Sequence, residues 1–320
     1  MICIDDLNDW VGFLGGHPDV LTPHMDKLAA GGRNFTNAHC VVPVCSPSRI
    51  SVMSGLHATT HGSYDLGPTY ESIERLRDVA TIQGHFKANG YRTIAGGKVL
   101  HHGFQGPLKD DIDQPLTGGK GPRPKGQMNF PGGAWDWGAY PDKDEEMGDY
   151  QVAKKAADVL RKKHDTPFFL TVGIFRPHVP MFVPQKWFDL YDKKTLTLPK
   201  APLSDIDDLP DNFKGRLNVE PTHADILEKG DWRGMVQAYL ACVSFADHCV
   251  GEVMQGLNDG PNRDNTVVVL WSDHGFHLGE KQKWAKRTLW EESTRTPLIV
   301  AGPGIDPGRC EEAVSLLDIY

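Results

Sequence analysis

Short apolar segments alternate along the chain with longer segments in which apolar residues recur every three or four positions. The short segments predict strands at 2–4, 33–38, 91–96, 167–175, 265–272 and 297–302. The periodic segments predict helices at 23–30, 48–54, 78–89, 145–163 and about 233–257, and one more at the closing AVSLLDIY. Several strands are apolar on both faces, as in a covered parallel sheet. We therefore predict an α/β fold with a doubly wound, mostly parallel central sheet and helices on both faces.

Two long segments interrupt this alternation. Residues 103–144 contain nine glycines and six prolines, and residues 198–223 are polar and punctuated by proline. Loops of this length in a compact domain usually carry function or are disordered insertions. We expect both segments to flank the functional site.

Composition limits the classes of partner. The formal net charge of -8 opposes long-range attraction to nucleic acid or to an anionic membrane surface, so we expect no nucleic-acid partner. No apolar run approaches the roughly 18 residues of a membrane span. An anionic substrate would need a local basic pocket. The six cysteines include no C-x-x-C pair, and Cys242 and Cys249 fall on one predicted helix, too far apart for a disulfide.

Polar residues follow five of the predicted strands. Ligands in open α/β sheets bind beyond the carboxyl ends of the strands, so these residues should meet at one edge. They are Asp5 and Asp6 after the first strand, the turn at Cys45 after the second, GGKVLHHG after the third, RPHVP after the fourth and DHGFHLGE after the fifth. Acids, histidines, arginines, a lysine and a thiol are thus predicted to share one site.

Asp5, Asp6, Asp273 and His274 have the composition of a divalent-metal site. Carboxylates supply the hard oxygen ligands that Ca²⁺ or Mg²⁺ prefers, and a bound ion would relieve their mutual repulsion. In the alternative interpretation, Asp5 caps a turn and Asp273 and His274 begin an ordinary loop. The shared position of both pairs after apolar strands favours the metal site.

Cys45 is followed by residues typical of a helix start, including Pro47 and Ser48. We expect Cys45 just before a helix N-terminus, where free N–H groups favour anions. Arg49 would lie one turn along, within reach of the same anion. The alternative is that Cys45 is a small buried apolar residue, which is the commoner role of a lone cysteine.

The pentapeptide CSPSR at 45–49 resembles the C-x-P-x-R signature of the type I sulfatases, in which the cysteine is oxidised to Cα-formylglycine. Other segments resemble sulfatase segments in the same order: the first Asp-Asp pair, TPHMDKLAAGGRNFTNAHC, GGKVLHHG, FRPHVP, SDHGFHLGEKQKWAK and TPLIVAGPG. The resemblance covers essentially all 320 residues and is strongest to the iduronate-2-sulfatase group. It implies an alkaline-phosphatase-like catalytic domain over 1–320, short at its first strand and without the smaller C-terminal subdomain.

The resemblance also implies a mechanism. Hydrated formylglycine at residue 45 would attack sulfur through one hydroxyl, stabilised by a metal ion and Arg49. The second hydroxyl would then expel sulfate, with His101 assisting the loss of its proton. We interpret His102, His277 and the HATTH segment at 57–61 as structural.

The remaining implied roles form the basic pocket and the metal site. Lys98 and Lys286 would bind the sulfate group, and His178 would protonate the departing alcohol or hold the sulfate. The implied ligands of Ca²⁺, favoured over Mg²⁺, are Asp5, Asp6, residue 45 itself, Asp273 and His274.

The implied substrate is a sulfated sugar or a glycosaminoglycan-like chain. The implied protein partner is a formylglycine-generating or anaerobic maturation enzyme, and the family implies a periplasmic or secreted location. One departure bears on maturation, because the family signature continues to a T-G-R element where this chain has Ser54, Gly55 and Leu56.

Two rival functions remain open at this point. A phosphohydrolase or phosphonate monoesterase of the same superfamily would bind an ester of the same tetrahedral shape. Such relatives more often use serine or threonine with two metals, so Cys45 with one metal cluster favours sulfate. A chain in which Cys45 stays unmodified would instead bind sulfated glycans without hydrolysing them.

Overall fold

The computed structural model describes residues 1–130, 134–217, 221–228 and 231–320. Its strands are β1 (Ile2–Ile4), β2 (Arg33–Phe35), β3 (Ala38–His39), β4 (Arg92–Gly97), β5 (Gln114–Leu116), β6 (Trp137–Ala139), β7 (Phe168–Ile174), β8 (Met181–Val183), β9 (Val268–Ser272), β10 (His277–Leu278), β11 (Trp284–Ala285), β12 (Arg295–Thr296), β13 (Leu298–Ala301), β14 (Gly308–Cys310) and β15 (Val314–Ser315). Its α-helices are α1 (Pro23–Ala30), α2 (Cys45–Ser54), α3 (Ala58–His61), α4 (Ile82–Ala88), α5 (Gly148–Leu160), α6 (Gln185–Phe188), α7 (Asp211–Leu217), α8 (His223–Glu228), α9 (Trp232–Asp259) and α10 (Glu291–Thr294).

Among the described residues, an eight-stranded sheet has the order β14-β2-β13-β9-β1-β7-β4-β5. Five of its neighbouring pairs are parallel, and the two antiparallel pairs both involve β13. The short β1 lies at the centre, where Ile4 pairs with Ile174 of β7 and Ser272 of β9. The predicted doubly wound, mostly parallel α/β fold is confirmed.

Helices cover both faces of this sheet, as the alternation of buried side chains in β1 requires. Ile2 and Ile4 join the apolar cluster that includes α1, α5 and α9, whereas Cys3 joins the cluster on the other face with Ile50 of α2 and Ile82 of α4. Within the part of the chain that the structure describes, no helix is long and apolar enough to cross a membrane.

The structure corrects two sequence predictions of secondary structure. The predicted strand 33–38 is two strands in different sheets, because the chain turns at Thr36, whose N–H donates to the Cys310 carbonyl at 2.9 Å. The predicted C-terminal helix is instead β15 followed by a 3-10 turn, Leu316–Ile319. Val314 pairs with β3 there, and the Ser315 hydroxyl accepts the Leu317 N–H at 3.1 Å.

Helix α2 begins at Cys45, three residues before the predicted helix 48–54, so Cys45 is the first residue of the helix rather than a residue before it. Val44 precedes it in an extended conformation, with φ of -150°. The serines expected to cap the helix bond elsewhere, since the Ser48 hydroxyl donates to the Asp273 carbonyl at 2.6 Å. The helix ends at Gly55, whose φ of 66° favours glycine.

Both long segments pack against the domain in their described residues; residues 131–133 and 218–220 lie outside the description. Segment 103–144 contains the edge strand β5 and also β6, which pairs with β8. Segment 198–223 is joined to the chain after β10 by an ion pair of 2.8 Å between Asp205 and Lys281.

The ends of β4 and β7 approach each other through glycine. Gly97 has φ of 73°, and a Cβ there would overlap the carbonyl oxygen of Gly173. A Cβ on Gly173 would overlap the backbone of Lys98, whose N–H donates to the Gly173 carbonyl at 3.2 Å. These two glycines therefore let the chain after β4 hold Lys98 against the sheet edge.

We predict that Gly173→Ala lowers the free energy of unfolding by about 1–3 kcal/mol, because the added methyl group overlaps backbone that cannot rotate away. Urea denaturation measures the change. Gly67→Ala is the matched control, since a Cβ at Gly67 meets nothing within 4 Å and its effect should stay within about 0.5 kcal/mol. Equal stability of the two variants would contradict the proposed close packing.

Candidate active site

The structure brings all the predicted site residues together beyond the carboxyl ends of the central strands. Each of them follows a strand or begins a helix at that edge: Asp5 and Asp6 after β1, Cys45 and Arg49 in the first turns of α2, Lys98 and His101 after β4, His178 after β7, Asp273 and His274 after β9, and Lys286 after β11. The ion-paired side chains among them range from fully buried to 20% exposed, and His178 is the most exposed. The site, called the pocket below, is therefore a largely buried cluster of charged side chains.

Asp6 turns the chain sharply after β1. Its φ of 62° is in the left-handed region, which aspartate tolerates better than most residues. The Asp6 N–H donates to Asp273 Oδ1 at 3.1 Å, and the Asp6 carbonyl accepts the Tyr239 hydroxyl at 2.8 Å. These bonds keep the carboxylates that follow β1 close to the carboxylate that follows β9.

Arg49 lies fully buried beneath the site, between two carboxylates. Its Nε donates to Asp273 Oδ2 at 2.7 Å, and its Nη2 lies 3.5 Å from Asp5 Oδ1. Its Nη1 donates to the carbonyls of Lys98 and Val99. Burial opposes a charged guanidinium, but Asp273 and Asp5 raise the pKa of Arg49 above its ordinary value. Arg49 thus connects α2 to the chain after β1, β4 and β9.

The Cys45 sulfur lies among cations. Lys286 Nζ is 2.8 Å from Sγ, and His274 Nε2 is 3.2 Å away. Burial alone would raise the pKa of the thiol, but Lys286, Lys98 and His274 together lower it well below its ordinary value. The environment of residue 45 therefore stabilises a negatively charged oxygen or sulfur atom.

Among the residues that the structure describes, two overlapping groups of side chains could hold a metal ion. They are Asp5, Asp6, Cys45 and His178, and Asp5, Cys45, Asp273 and His274, with ligand atoms within 4.8 Å of one another in each group. Asp5 Oδ1 and Asp6 Oδ2 are buried and have no hydrogen-bond partner in the described structure. Buried carboxylate oxygens without partners are costly, so they fit a cation that prefers oxygen.

The backbone of Gly275 orients the His274 ring toward this cluster. Its Nδ1 donates to the Gly275 carbonyl at 2.9 Å, which leaves Nε2 to face Asp6 and Asp273 at 3.3 and 3.5 Å. A hydrogen bond of this kind is typical of metal-binding histidines. Burial would lower the pKa of His274, but Asp273 raises it to about 9, while burial raises the pKa of Asp273 to about 6.

Two further histidines border the pocket. His178 Nδ1 donates to the Val179 carbonyl at 2.5 Å, and its Nε2 lies 4.0 and 3.9 Å from Asp5 and Asp6. Its side chain is 20% exposed whereas those carboxylates are fully buried, so His178 lies on the open side. His101 helps to lower the pKa of the Cys45 thiol, and its buried Nδ1 has no partner in the described structure.

The two predicted site lysines are each ion-paired with one carboxylate. Lys98 pairs with Asp5 and Lys286 pairs with Asp6. Burial opposes the charge of Lys286, but Asp6 and Cys45 raise its pKa above the ordinary value. Lys286 therefore stays cationic next to residue 45.

Sequence reasoning missed two supporting residues. The Tyr239 hydroxyl, besides donating to Asp6, accepts the Asn8 N–H at 3.0 Å. The Ser272 hydroxyl accepts the Leu7 N–H and donates to the His274 carbonyl, both within 3.1 Å. Tyr239 lies in the apolar pattern of α9, and the pattern alone indicates only a core residue.

The histidines interpreted as structural make local hydrogen bonds away from Cys45. His102 Nε2 contacts the Leu66 carbonyl at 2.8 Å, His277 Nε2 contacts Thr288, and His61 Nε2 contacts Ser51 at 2.9 Å. A separate cavity of about 630 Å³ lies at the amino ends of β1, β7 and β9. None of the predicted site residues line this cavity, so the size of a cavity does not identify the candidate active site.

Comparison with known proteins gives one family across the whole chain. The family model described as Sulfatase matches residues 1–320. A protein named Sulfatase from Formosa agariphila is 38% identical, with 100% of this chain and 67% of the relative covered. Human Iduronate 2-sulfatase is 31% identical over 95% of this chain and 59% of its own length. Choline-sulfatase from Rhizobium meliloti is 30% identical, covering 100% and 65%. The chain thus spans roughly two thirds or less of these relatives.

Solved structures share the fold at lower identity. A phosphonate monoester hydrolase of Agrobacterium radiobacter superposes with a TM-score of 0.76 at 18% identity, covering 100% of this chain and 72% of the other. A protein in complex with its substrate D-glucosamine-2-N,6-O-disulfate superposes with a TM-score of 0.74 at 20% identity, covering 100% and 74%. At these identities the likeness concerns the fold alone.

We predict that Arg49→Met lowers the free energy of unfolding by about 3–5 kcal/mol, because it removes the guanidinium partner of the buried Asp273 carboxylate and leaves Asp5 paired with Lys98. Urea denaturation followed by tryptophan fluorescence gives the value. The matched control is Arg161→Met, which removes surface ion pairs of 3.4 Å with Asp158 and Asp259 and should cost less than about 1 kcal/mol. Similar small losses in both variants would show that Arg49 does not hold the site together.

Proposed function

Since this chain belongs to the sulfatase family, we propose that it hydrolyses a sulfate ester and releases inorganic sulfate. The predicted resemblance to the iduronate-2-sulfatase group is confirmed by the mouse and human relatives. The observation that carries the proposal is the placement of Cys45 Sγ within 3.2 Å of Lys286 and His274, beside a cluster of carboxylates. A negatively charged ester and a nucleophile at residue 45 both require such an environment.

We propose a sulfated carbohydrate as the substrate class. The names of several relatives support it, among them Ulvan-active sulfatase of Formosa agariphila, 30% identical over 91% of this chain, and Iduronate 2-sulfatase. The similarity to Choline-sulfatase makes a small sulfated alcohol the other substrate to test. The catalytic domain in this proposal spans 1–320, with the segments 103–144 and 198–223 at the rim of the pocket.

The nucleophile in this proposal is formylglycine derived from Cys45 by a maturation enzyme. The group would supply two hydroxyls on one carbon, one to attack sulfur and the other to release sulfate. Ser54, Gly55 and Leu56 stand where the family signature has T-G-R, yet Gly55 keeps the left-handed turn that ends α2. The Ser54 hydroxyl donates to the Ile50 carbonyl at 2.7 Å, a bond that threonine could also make.

The charged residues bind the sulfate group and move protons. Lys98 and Lys286, both next to residue 45, would neutralise sulfate oxygens. His178 faces the pocket through Nε2 and would donate a proton to the departing alcohol oxygen, because its Nδ1 is already committed to a carbonyl. His101, which helps to lower the pKa of the Cys45 thiol, would accept the proton released there.

A divalent ion would complete the site. Asp5, Asp6, Asp273 and His274, with residue 45, would hold it, and it would supply charge stabilisation to sulfate oxygens and the attacking hydroxyl. We propose Ca²⁺ rather than Mg²⁺, since Ca²⁺ accepts many carboxylate oxygens in irregular geometry. Arg49 would balance Asp273 from below and keep these ligands at fixed positions.

The rival functions can be separated from this one. The fold shared with phosphonate monoester hydrolase keeps a phosphoester activity testable, although it supplies no residue-level argument. Among the described residues, both overlapping groups of possible metal ligands contain Cys45, and this arrangement around one cysteine favours the sulfate ester. An inert glycan-binding protein would require Cys45 to remain a thiol.

We predict that Cys45→Ala abolishes sulfate release, because it removes the precursor of the nucleophile. Ion chromatography of sulfate released from sulfated sugars and from choline sulfate measures turnover, and mass spectrometry of the tryptic peptide 34–49 identifies residue 45 in protein from its native host. Cys310→Ala, at a half-buried cysteine outside the pocket, is the control. Turnover by the Cys45→Ala variant, or an unmodified thiol in active protein, would refute the mechanism.

We predict that Ca²⁺ raises the melting temperature and that Asp6→Asn removes this response, because the variant loses a charged ligand. A ligand present at a hundredfold excess over its Kd stabilises the folded state by about 2.7 kcal/mol. Differential scanning fluorimetry with and without chelator gives the shift. Asp144→Asn, at a buried carboxylate paired with Lys186 instead, should respond to Ca²⁺ like the wild type. An equal Ca²⁺ response in the Asp6→Asn variant would exclude the proposed ligand set.

A further inference from the structure

A third lysine reaches the pocket from a strand that the sequence did not predict. β5 pairs in parallel with β4, so its carboxyl end lies at the same sheet edge as Lys98. The chain leaves β5 at Leu116 and reaches Lys120 four residues later. Lys120 Nζ lies 5.0 Å from the centre of the Phe175 ring, and Lys98 Nζ lies 5.0 Å from the centre of the same ring.

The backbone around Lys120 is held in place by close packing. A Cβ on Gly148, the first residue of α5, would overlap the backbone of Gly119. A Cβ on Gly118 would likewise overlap the side chain of Val152, one turn further along α5. Lys155 Nζ donates to the Thr117 carbonyl at 2.7 Å. Segment 117–121 therefore lies against α5 and presents Lys120 from a defined position.

Lys120 differs from the other lysines of the pocket in its charge balance. Lys98 and Lys286 are each paired with a carboxylate, whereas Lys120 and the nearby Arg123 have no ion pair or hydrogen bond in the described part of the chain. Partial burial, followed by the charges of Lys98 and Arg123, lowers the pKa of Lys120, and Asp5 and Cys45 act on it in the opposite sense. Lys120 thus brings a cation without an ion pair to the edge of the pocket, and Arg123 adds a second positive charge next to it.

We propose that Lys120, with Arg123, binds a second anionic group of the substrate, a sulfate or a carboxylate, while the reacting sulfate ester occupies the pocket at residue 45. The inference rests on the proposed function and deepens it, because it selects sugars that carry two anionic groups over those that carry one. The ammonium groups of Lys98 and Lys120 each lie 5.0 Å from the centre of the Phe175 ring, so their separation is at most twice that distance. Substituents on one sugar residue, or on two adjoining residues, can span such a distance.

The test measures binding separately from turnover. In a Cys45→Ala background, isothermal titration calorimetry gives the Kd of three probes: a monosulfated N-acetylhexosamine, the same hexosamine carrying N- and O-sulfate, and a sulfated uronic acid. We expect the Cys45→Ala protein to bind the two dianionic probes more tightly than the monoanionic one. Adding Lys120→Met, which keeps the apolar stem over Phe175, should weaken dianionic binding by about fivefold to tenfold and monoanionic binding by less than about twofold.

Two further variants control the charge and the loop. Lys120→Arg should retain the preference for dianionic probes, because it retains the cation. Lys125→Ala removes another lysine of segment 103–144, one that has no ion pair in the described structure. It should leave all three Kd values unchanged. Dianionic probes that bind no better than the monoanionic probe, or equal losses for all probes in Lys120→Met, would overturn the second anion site.

Kinetic measurements on the enzyme without the Cys45→Ala substitution separate failure of the second anion site from failure of the proposed function. Sulfate release from all three probes, with the preference for two anions lost in Lys120→Met, supports both proposals. Tight, Lys120-dependent binding of dianionic probes without sulfate release from any ester would refute hydrolysis and retain the anion site. Equal sulfate release from all three probes, unchanged in Lys120→Met, would support hydrolysis and refute the anion site.

Discussion

The buried ion cluster of Arg49, Asp5 and Asp273 is the constraint on which the site depends. The two carboxylates end neighbouring strands of the sheet, and like charges at that separation repel unless a cation lies between them. Arg49 supplies that cation from the first turns of α2 and is fully buried itself. The same contact that neutralises the strand ends therefore fixes α2, and with it Cys45, over the centre of the sheet.

Local signals in the sequence predicted the site better than they predicted the sheet. Apolar runs followed at once by acids or histidines located Asp5, Asp6, Asp273 and His178, because parallel strands place their carboxyl ends at one edge. The break of the strand 33–38 and the edge strand β5 depend on pairing with distant residues, and Gln114, Pro115 and Leu116 have no strand-like pattern. Lys120 was missed for the same reason, since its neighbour Phe175 is far away in the sequence.

Glycine determines how cations approach the pocket in two places. Gly97 meets Gly173 where β4 ends, and Gly119 meets Gly148 at the start of α5. In each case the backbones come closer than any side chain would permit, and a lysine follows immediately, Lys98 in one and Lys120 in the other. Backbone packing, rather than side-chain hydrogen bonding, thus sets the positions from which positive charge faces residue 45.

All ten residues of α2 are buried, and Cys45 is only 1% exposed. Under the proposed maturation, an enzyme that oxidises Cys45 would have to reach the sulfur, which the folded chain buries. The conversion to formylglycine would therefore have to precede the packing of α2 against the sheet, while the polypeptide is still being synthesised or exported. A chain that folded before the oxidation would keep its thiol, so the rate of folding would compete with the rate of modification.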